Sequence, residues 1–337
     1  MILRSLPVLA LAVLVAGVSA PAFAKGPKIG FILSTMQEER YQTDKRVFLE
    51  TAKKLGAEVE FASANNSEQS QAAEVDNMLS KGIQALVIQP VNGDTAAAFV
   101  KQATQDGVPV IAYDRLIKNA PIAAYITKDS YKIGVIQAEA AAKATGGKGN
   151  YVLLMGQAGH SVAEAITAGA LDTLKKYPNI KVVVKQYHAG WSPELAMKTT
   201  ENTLTQYKNK IDAILANNSG MAHGAVQALE EQKLTGKVFV AGSDADLATL
   251  RDIASGKQQL EVLAPIGEIA SKAAEAAVNL ALKKPIKTDS EVDNGSGKVK
   301  VISTAVYAID KSTLESRVIK TGFHTHAEVY GNVASGK

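Results

Sequence analysis

Val110-Ile-Ala-Tyr-Asp-Arg115 joins four apolar residues to an adjacent acid and base. After Pro109 the apolar run reads as a buried parallel strand, and in an open α/β sheet the ligand crevice lies outside the carboxyl ends of such strands. Asp114 and Arg115 are thereby predicted to face a ligand. Together they offer two acceptor oxygens and a rigid fork of donors, which suits a molecule whose hydroxyls both donate and accept. The same two residues also read as an exposed ion pair just past a strand.

Upstream of this stretch, short apolar runs alternate with longer amphipathic ones. Strands are predicted over Ile29 to Leu33, Glu58 to Ala62 and Ala85 to Gln89. Helices are predicted over Glu39 to Leu55, Ser67 to Lys81 and Thr95 to Asp106, closed by Gly56, Gly82 and Gly107 at the position of a left-handed cap. This βαβα order implies a parallel sheet with helices on both faces and right-handed crossovers.

Downstream a second series follows, with Ala123 to Lys128 read as the first crossing between the halves. Helices are predicted over Ser130 to Thr145, Ser161 to Lys176, Pro193 to Gln206, Met221 to Gln232 and Leu247 to Ala254. Between them come strands over Tyr151 to Met155, Lys181 to Gln186, Ala213 to Ala216, Val238 to Ala241 and Leu260 to Leu263. The Ala-rich helix Ile269 to Leu282 needs a sheet to cover, and the first half has room for it. Lys284 to Lys298 reads as a loop or hairpin tip, and Val299 to Val306 as a strand. The expected fold is therefore α/β, two doubly wound Rossmann-like domains with a hinge, from residues 28–125 with 266–304 and from 126–265 with 305–330. The crossings are expected near Ala123 to Lys128, Pro265 and Val306, and a cleft between such domains is a preferred ligand site.

The ends of the chain bound its setting. Arg4 is the sole charge in residues 1–24, ahead of an apolar run from Leu6 to Val18 and a small-x-small Ala22-Phe-Ala24, so residues 1–24 read as a secretory signal peptide. The run is shorter than the ~20 residues that span a bilayer. With no cysteine there is no thiolate nucleophile and no lipid-bearing residue at the junction. A formal net charge of +4 points neither to nucleic acid nor to membrane adhesion. A periplasmic monomer without cofactor is the simplest expectation.

Polar groups recur at predicted strand ends: Arg40 and Tyr41, Asn92, Asp114 and Arg115 in the first half, Gln157, His160, Trp191, Asn217-Asn218 and Asp244 in the second. Carboxylates, amides, a guanidinium and one flat indole are what a sugar requires, since hydroxyls fill the hydrogen-bond fork and the apolar ring face stacks on the aromatic. Bland roles compete: a buried structural Trp191, and helix caps for one of Asn217 and Asn218 and one of Asp244 and Asp246. His160 and His223 lack any zinc-ligand spacing, and no metal is expected.

Across essentially the whole chain after residue 24, these residues make the sequence resemble the type I periplasmic sugar-binding proteins of ABC transporters, most of all the D-xylose-binding proteins. The stretches that carry the likeness are Lys28-Ile-Gly-Phe, Glu39-Arg40, Ser63-Ala-Asn65, Val87-Ile-Gln-Pro-Val-Asn-Gly93, Val110 to Arg115, Gly190-Trp191 before Pro193-Glu194, Ala213 to Asn218, Gly242-Ser-Asp-Ala-Asp-Leu247 and Gly322-Phe-His324. The resemblance implies a Venus flytrap that closes on one sugar and delivers it to a permease, with a chemoreceptor or sensor kinase as an alternative partner. It places Arg40, Asp114, Arg115, Trp191, Asn218 and Asp244 on sugar-contacting positions. Tyr41 stands for a tryptophan, Ser161 and Ala163 for an Asp-x-Asn pair, and Ala264 for a lysine. The expectation is a second-domain wall emptied at those three positions, and weak binding of D-xylose.

Other classes lack their signatures. No Gly-x-Ser-x-Gly elbow, phosphate loop or His-Glu-x-x-His is present, which argues against an enzyme. A sugar-responsive repressor would need a helix-turn-helix segment where this chain has its leader.

Overall fold

The computed structural model describes residues 26–331, so the leader expected over residues 1–24 lies outside the described residues. The chain builds two sheets. The first has seven strands in the order β11-β12-β5-β4-β3-β1-β2. Its parallel members are β1 (Lys28–Leu33), β2 (Glu58–Ser63), β3 (Ala85–Ile88), β4 (Val110–Tyr113), β5 (Ala124–Lys128) and β12 (Lys298–Thr304), with β11 (Ser290–Asp293) antiparallel at one edge.

Alternation along the strands assigns side chains to two faces. Ile29, Phe31 and Leu33 pack with Phe48 and Ala52 of α1 (Arg40–Lys54) and with the small residues of α9 (Ile266–Ala281). Ile32 turns the other way, towards Val75 and Met78 of α2 (Glu68–Ser80) and Val100 of α3 (Ala97–Gln105). The Ala-rich helix thus covers the first sheet, where its alanines let it lie close to strands and to α1.

The second sheet runs β13-β10-β9-β8-β6-β7. It comprises β6 (Lys148–Met155), β7 (Asn179–Tyr187), β8 (Ala213–Ala216), β9 (Phe239–Ser243) and β10 (Leu260–Leu263), all parallel, with β13 (Tyr307–Ile309) antiparallel to β10. Around it lie α4 (Ser130–Ala144), α5 (Ser161–Leu174), α6 (Pro193–Gln206), α7 (Ser219–Glu231) and α8 (Leu247–Ser255). Beyond β13, Leu314, Val318 and Val329 pack on Leu250 and Ile253 of α8.

The chain passes between the sheets at Asp129, at Ala264–Pro265 and at Ala305–Val306. The first passage corrects the sequence reading. Ala123 to Lys128 is not a crossing: Ala124–Lys128 is β5, inside the first sheet, with Ile126 beside Tyr113 and Ile302 and Lys128 beside Thr304. The alternation rule missed it because no helix intervenes between β4 and β5. Ten residues connect them, and Ile117, Ala120 and Ile122 bury themselves where a helix would otherwise cover the sheet. The Lys284 to Lys298 stretch forms β11 and a tight turn into β12, with Asn294 Nδ2 donating to the carbonyls of Ile117 and Ala120 at 2.9 and 2.8 Å.

Candidate ligand-binding site

The carboxyl ends of both sheets face one cleft. On the first-domain side Asp114 leaves β4 with φ +61°, in the left-handed region. Tyr125 Oη and Thr127 Oγ1 of β5 donate to its carbonyl at 3.0 and 3.2 Å and hold that turn. Its side chain accepts from Arg40 Nη1 at 3.3 Å, Lys128 Nζ at 3.2 Å and Gln89 Nε2 at 3.1 Å. Burial alone would push the Asp114 carboxyl up, but Arg40, Lys128 and Arg115 overcome it and hold the group well below the usual carboxylate range.

Arg40 opens α1, and its Nε donates to Asp44 one turn on at 3.2 Å; Asp44 also accepts from Tyr113 Oη. Arg115 donates to the Pro90 carbonyl and to Tyr41 Oη, each at 3.3 Å, and Tyr41 Oη also accepts from Gln89 at 3.2 Å. Every charge on this wall is therefore tied to a neighbour on the same wall.

The second-domain wall is built differently. Asp244 follows β9 at φ +99°, and its Oδ1 reaches across to Lys128 Nζ at 3.5 Å and Arg40 Nη1 at 3.7 Å. Beneath it Glu261 is fully buried, accepting from Ser219 Oγ at 2.8 Å and the Ala245 N–H at 3.1 Å. These neutral donors do not offset burial, and its carboxyl is pushed up to about 7. Gly242 makes room, since a Cβ there would lie 2.1 Å from Glu261 Oε1.

Trp191 ends a short 3₁₀ turn (Ala189–Trp191) at φ +58°, and its indole lies flat on Gly156, where a Cβ would meet ring carbons at 2.5 Å. His160, just ahead of α5, stands edge-on to the indole with ring centroids 5.1 Å apart. Burial, then Arg115, depresses the His160 imidazole well below its usual range, so the ring is neutral.

Glu38, Arg40, Tyr41, Asp114, Arg115 and Lys128 from one side, and His160, Val162, Trp191, Asn217 and Asp244 from the other, enclose a cavity with about 20 Å³ of free volume. That is room for about one water, so a larger occupant enters only as the walls part. Five buried polar atoms on this lining have no hydrogen-bond partner: Arg40 Nη2, Arg115 Nε, both ring nitrogens of His160 and Trp191 Nε1. Leaving such atoms unpaired costs about 1–3 kcal/mol each, a cost that a ligand able to pair them would remove. A larger groove of about 710 Å³ runs between α1 and the segment Thr321 to His324, but Arg115, His160 and Trp191 do not reach it.

Of the residues singled out in the sequence, the structure brings Arg40, Tyr41, Asp114, Arg115, His160, Trp191 and Asp244 to this cavity. Asn92 is not among them. It donates to Glu68 at 3.3 Å, accepts from Asp94 N at 2.9 Å, and lines an adjoining groove with Gln157. Asn218 spends its side-chain oxygen capping α7, accepting from Met221 N at 3.0 Å, while Asn217 faces the cavity. The three supposedly emptied positions lie elsewhere: Ser161 Oγ accepts from Leu116 N at 3.0 Å across the domains, and Ala163 and Ala264 are buried in the two cores. His160 and Val162 line the cavity, while Ser161 lines the adjoining groove between the domains.

Sequence reasoning also missed Lys128, Glu38 and Val162. Lys128 ends β5 as Asp114 follows β4, so reading that segment as a strand would have found it. Among the described residues no group of three His, Asp or Glu side chains is placed to hold a metal ion, and no helix is long and apolar enough to cross a membrane.

Residues 29–285 match the periplasmic binding protein domain family. Over 311 residues the chain is 41% identical to the D-xylose-binding periplasmic protein of Escherichia coli (strain K12), covering 91% of this chain and 94% of that one. It is 39% identical over 315 residues to the D-xylose-binding periplasmic protein of Haemophilus influenzae, covering 93% and 95%. Its fold superposes with a TM-score of 0.83 on an ABC transporter solute-binding protein from Clostridium phytofermentans with bound β-D-glucose, 28% identical, covering 90% of this chain and 99% of that one. The chain therefore belongs to the periplasmic binding protein family, with the two-domain α/β fold of its type I sugar-binding members.

Proposed function

We propose that this protein is a periplasmic receptor that closes on a single small carbohydrate or polyol and passes it to an ABC importer, with no chemical step of its own. Residues 1–24 would serve as the export signal and residues 28–125 with 266–304 as the first of the two sugar-binding domains, its boundary moved to Lys128 by β5. The observation that carries the reading is the set of unpartnered polar atoms on Arg40, Arg115, His160 and Trp191 around one closed cavity. A neutral imidazole offers one donor and one acceptor, which is what a hydroxyl-rich ligand can pair. Each charged side chain of the first-domain wall already has a partner on that wall, leaving one nitrogen each of Arg40 and Arg115 to donate, which favours an uncharged occupant.

D-xylose is the first compound to test, since the chain is 41% identical to a D-xylose-binding periplasmic protein, and weak binding of it is the outcome expected from the small residues Ser161, Ala163 and Ala264. A thermal-shift panel of D-xylose, D-glucose, myo-inositol and glycerol is expected to give at least one clear upward shift at micromolar ligand. A flat response across the panel, with no sugar found by mass spectrometry in the purified protein, would overturn the reading.

A further inference from the structure

Three of the stretches singled out in the sequence, Glu39-Arg40, Gly242 to Leu247 and Gly322 to His324, meet outside the cavity. Glu39 precedes α1 and makes no cap for its own helix. Instead its carboxylate crosses to the other domain, where Oε2 accepts the Leu247 N–H at 3.1 Å and Oε1 lies 3.4 Å from His324 Nε2. Leu247 is the first residue of α8, a nine-residue helix whose own cap position, Asp246, makes no side-chain cap bond. The N-terminus of a helix favours a carboxylate, through both its free N–H groups and its dipole. Here the carboxylate comes from the opposite domain. His324 Nδ1 is in turn 3.9 Å from Glu328 of its own segment.

We propose that Glu39 is a positioning residue that latches the two domains closed, capping α8 across the cleft where Asp246 does not. This rests on the proposed capture of a sugar by closure, but the latch touches no residue that would grip the sugar through its own side chain. An interaction formed only after closure slows opening and leaves encounter unchanged. Loss of Glu39 therefore appears in the dissociation rate, whereas a general disturbance of the fold would also lower the melting temperature of the ligand-free protein.

The test is stopped-flow binding followed by the fluorescence of Trp191, the sole tryptophan, with the panel compound of largest thermal shift as probe. Glu39→Ala is expected to speed dissociation roughly three- to tenfold, somewhat less than one fully buried charged hydrogen bond contributes because Glu39 is exposed, with association altered less than about twofold. Glu39→Gln keeps an acceptor for Leu247 and is expected to fall between. Unchanged dissociation in Glu39→Ala overturns the latch, as does an equal loss in both rates. Should no panel compound bind the wild-type protein, the sugar reading fails and the latch is read separately. Spin labels at Lys101→Cys and Lys175→Cys, clean in a chain without cysteine, then report the interdomain distance. A longer or broader distribution in Glu39→Ala supports the latch, and an identical one removes it.

Discussion

The two walls of the cleft solve the same problem in opposite ways. On the first-domain wall Arg40, Asp44, Asp114 and Lys128 pair with one another, Arg115 is held by Tyr41 and the Pro90 carbonyl, and only one nitrogen each of Arg40 and Arg115 is left without a partner. On the second-domain wall His160 and Trp191 hold polar atoms that nothing in the protein satisfies. The first wall is organised before any ligand arrives. The second is completed by it. Fixed dipoles on one side and unpaired groups on the other make stability depend mainly on the first wall and affinity strongly on the second.

The largest expected effect tests that division at Asp114. Asp114→Asn keeps the shape and tolerates the left-handed backbone, but leaves Arg40 and Lys128 short of a buried anion. Breaking a buried pair in this way costs about 3–5 kcal/mol, to be read from urea unfolding of the ligand-free protein. The variant should also lose its acid sensitivity from this group. A carboxyl held below its usual 3.8 contributes stability above that pH and loses it as the pH falls further.

Glu261 behaves in the reverse sense. With its carboxyl raised from 4.5 to about 7, the folded form keeps a proton that the unfolded chain releases across that interval. Its contribution is full below 4.5 and is lost as pH rises to 7, an amplitude of about 3 kcal/mol. Glu261→Gln is expected to flatten that part of the stability profile. Identical pH profiles for wild type and Glu261→Gln over the window would show that Glu261 is charged, and the contrast with Asp114 would shrink.

Smaller effects probe the aromatic side. Gly156→Ala forces the Trp191 ring off its seat, an overpacking cost of about 1–3 kcal/mol, visible as altered Trp191 emission and weaker ligand binding. The smallest change in stability is expected for His160→Phe. It deletes two unpaired nitrogens and should leave ligand-free stability within about 1 kcal/mol, or raise it, while weakening binding roughly tenfold or more. Strong destabilisation by His160→Phe would mean that the second wall too is structurally committed.

Most of the architecture was legible because buried parallel strands read as short apolar runs and each early helix ends at a glycine. β5 escaped because its neighbour in sequence is a loop that buries Ile117 and Ile122 instead of a helix, and Lys128 was lost with it. Asp114, Asp244 and Trp191 stand out as polar or aromatic residues after apolar runs, although their positive φ angles have no simple sequence signature. Asn217 and Asn218 show the limit of such reading. Two equal side chains sit at a strand–helix junction, and only the helix N-terminus decides which one is spent as a cap. Glu38 carries no local signal: it reaches the cavity lining beside Tyr41, opposite Asp244 of the other domain.

The three passages between sheets have a consequence for how the chain acquires its shape. Tyr125 pairs with Val301 and Lys128 with Thr304, so the first sheet lacks an interior strand until almost the whole polypeptide is available. Contacts so distant in sequence close slowly, because the loop entropy is lost before the pairing repays it. A nascent amino-terminal portion therefore cannot complete its domain until the carboxyl-terminal part that carries β12 is available.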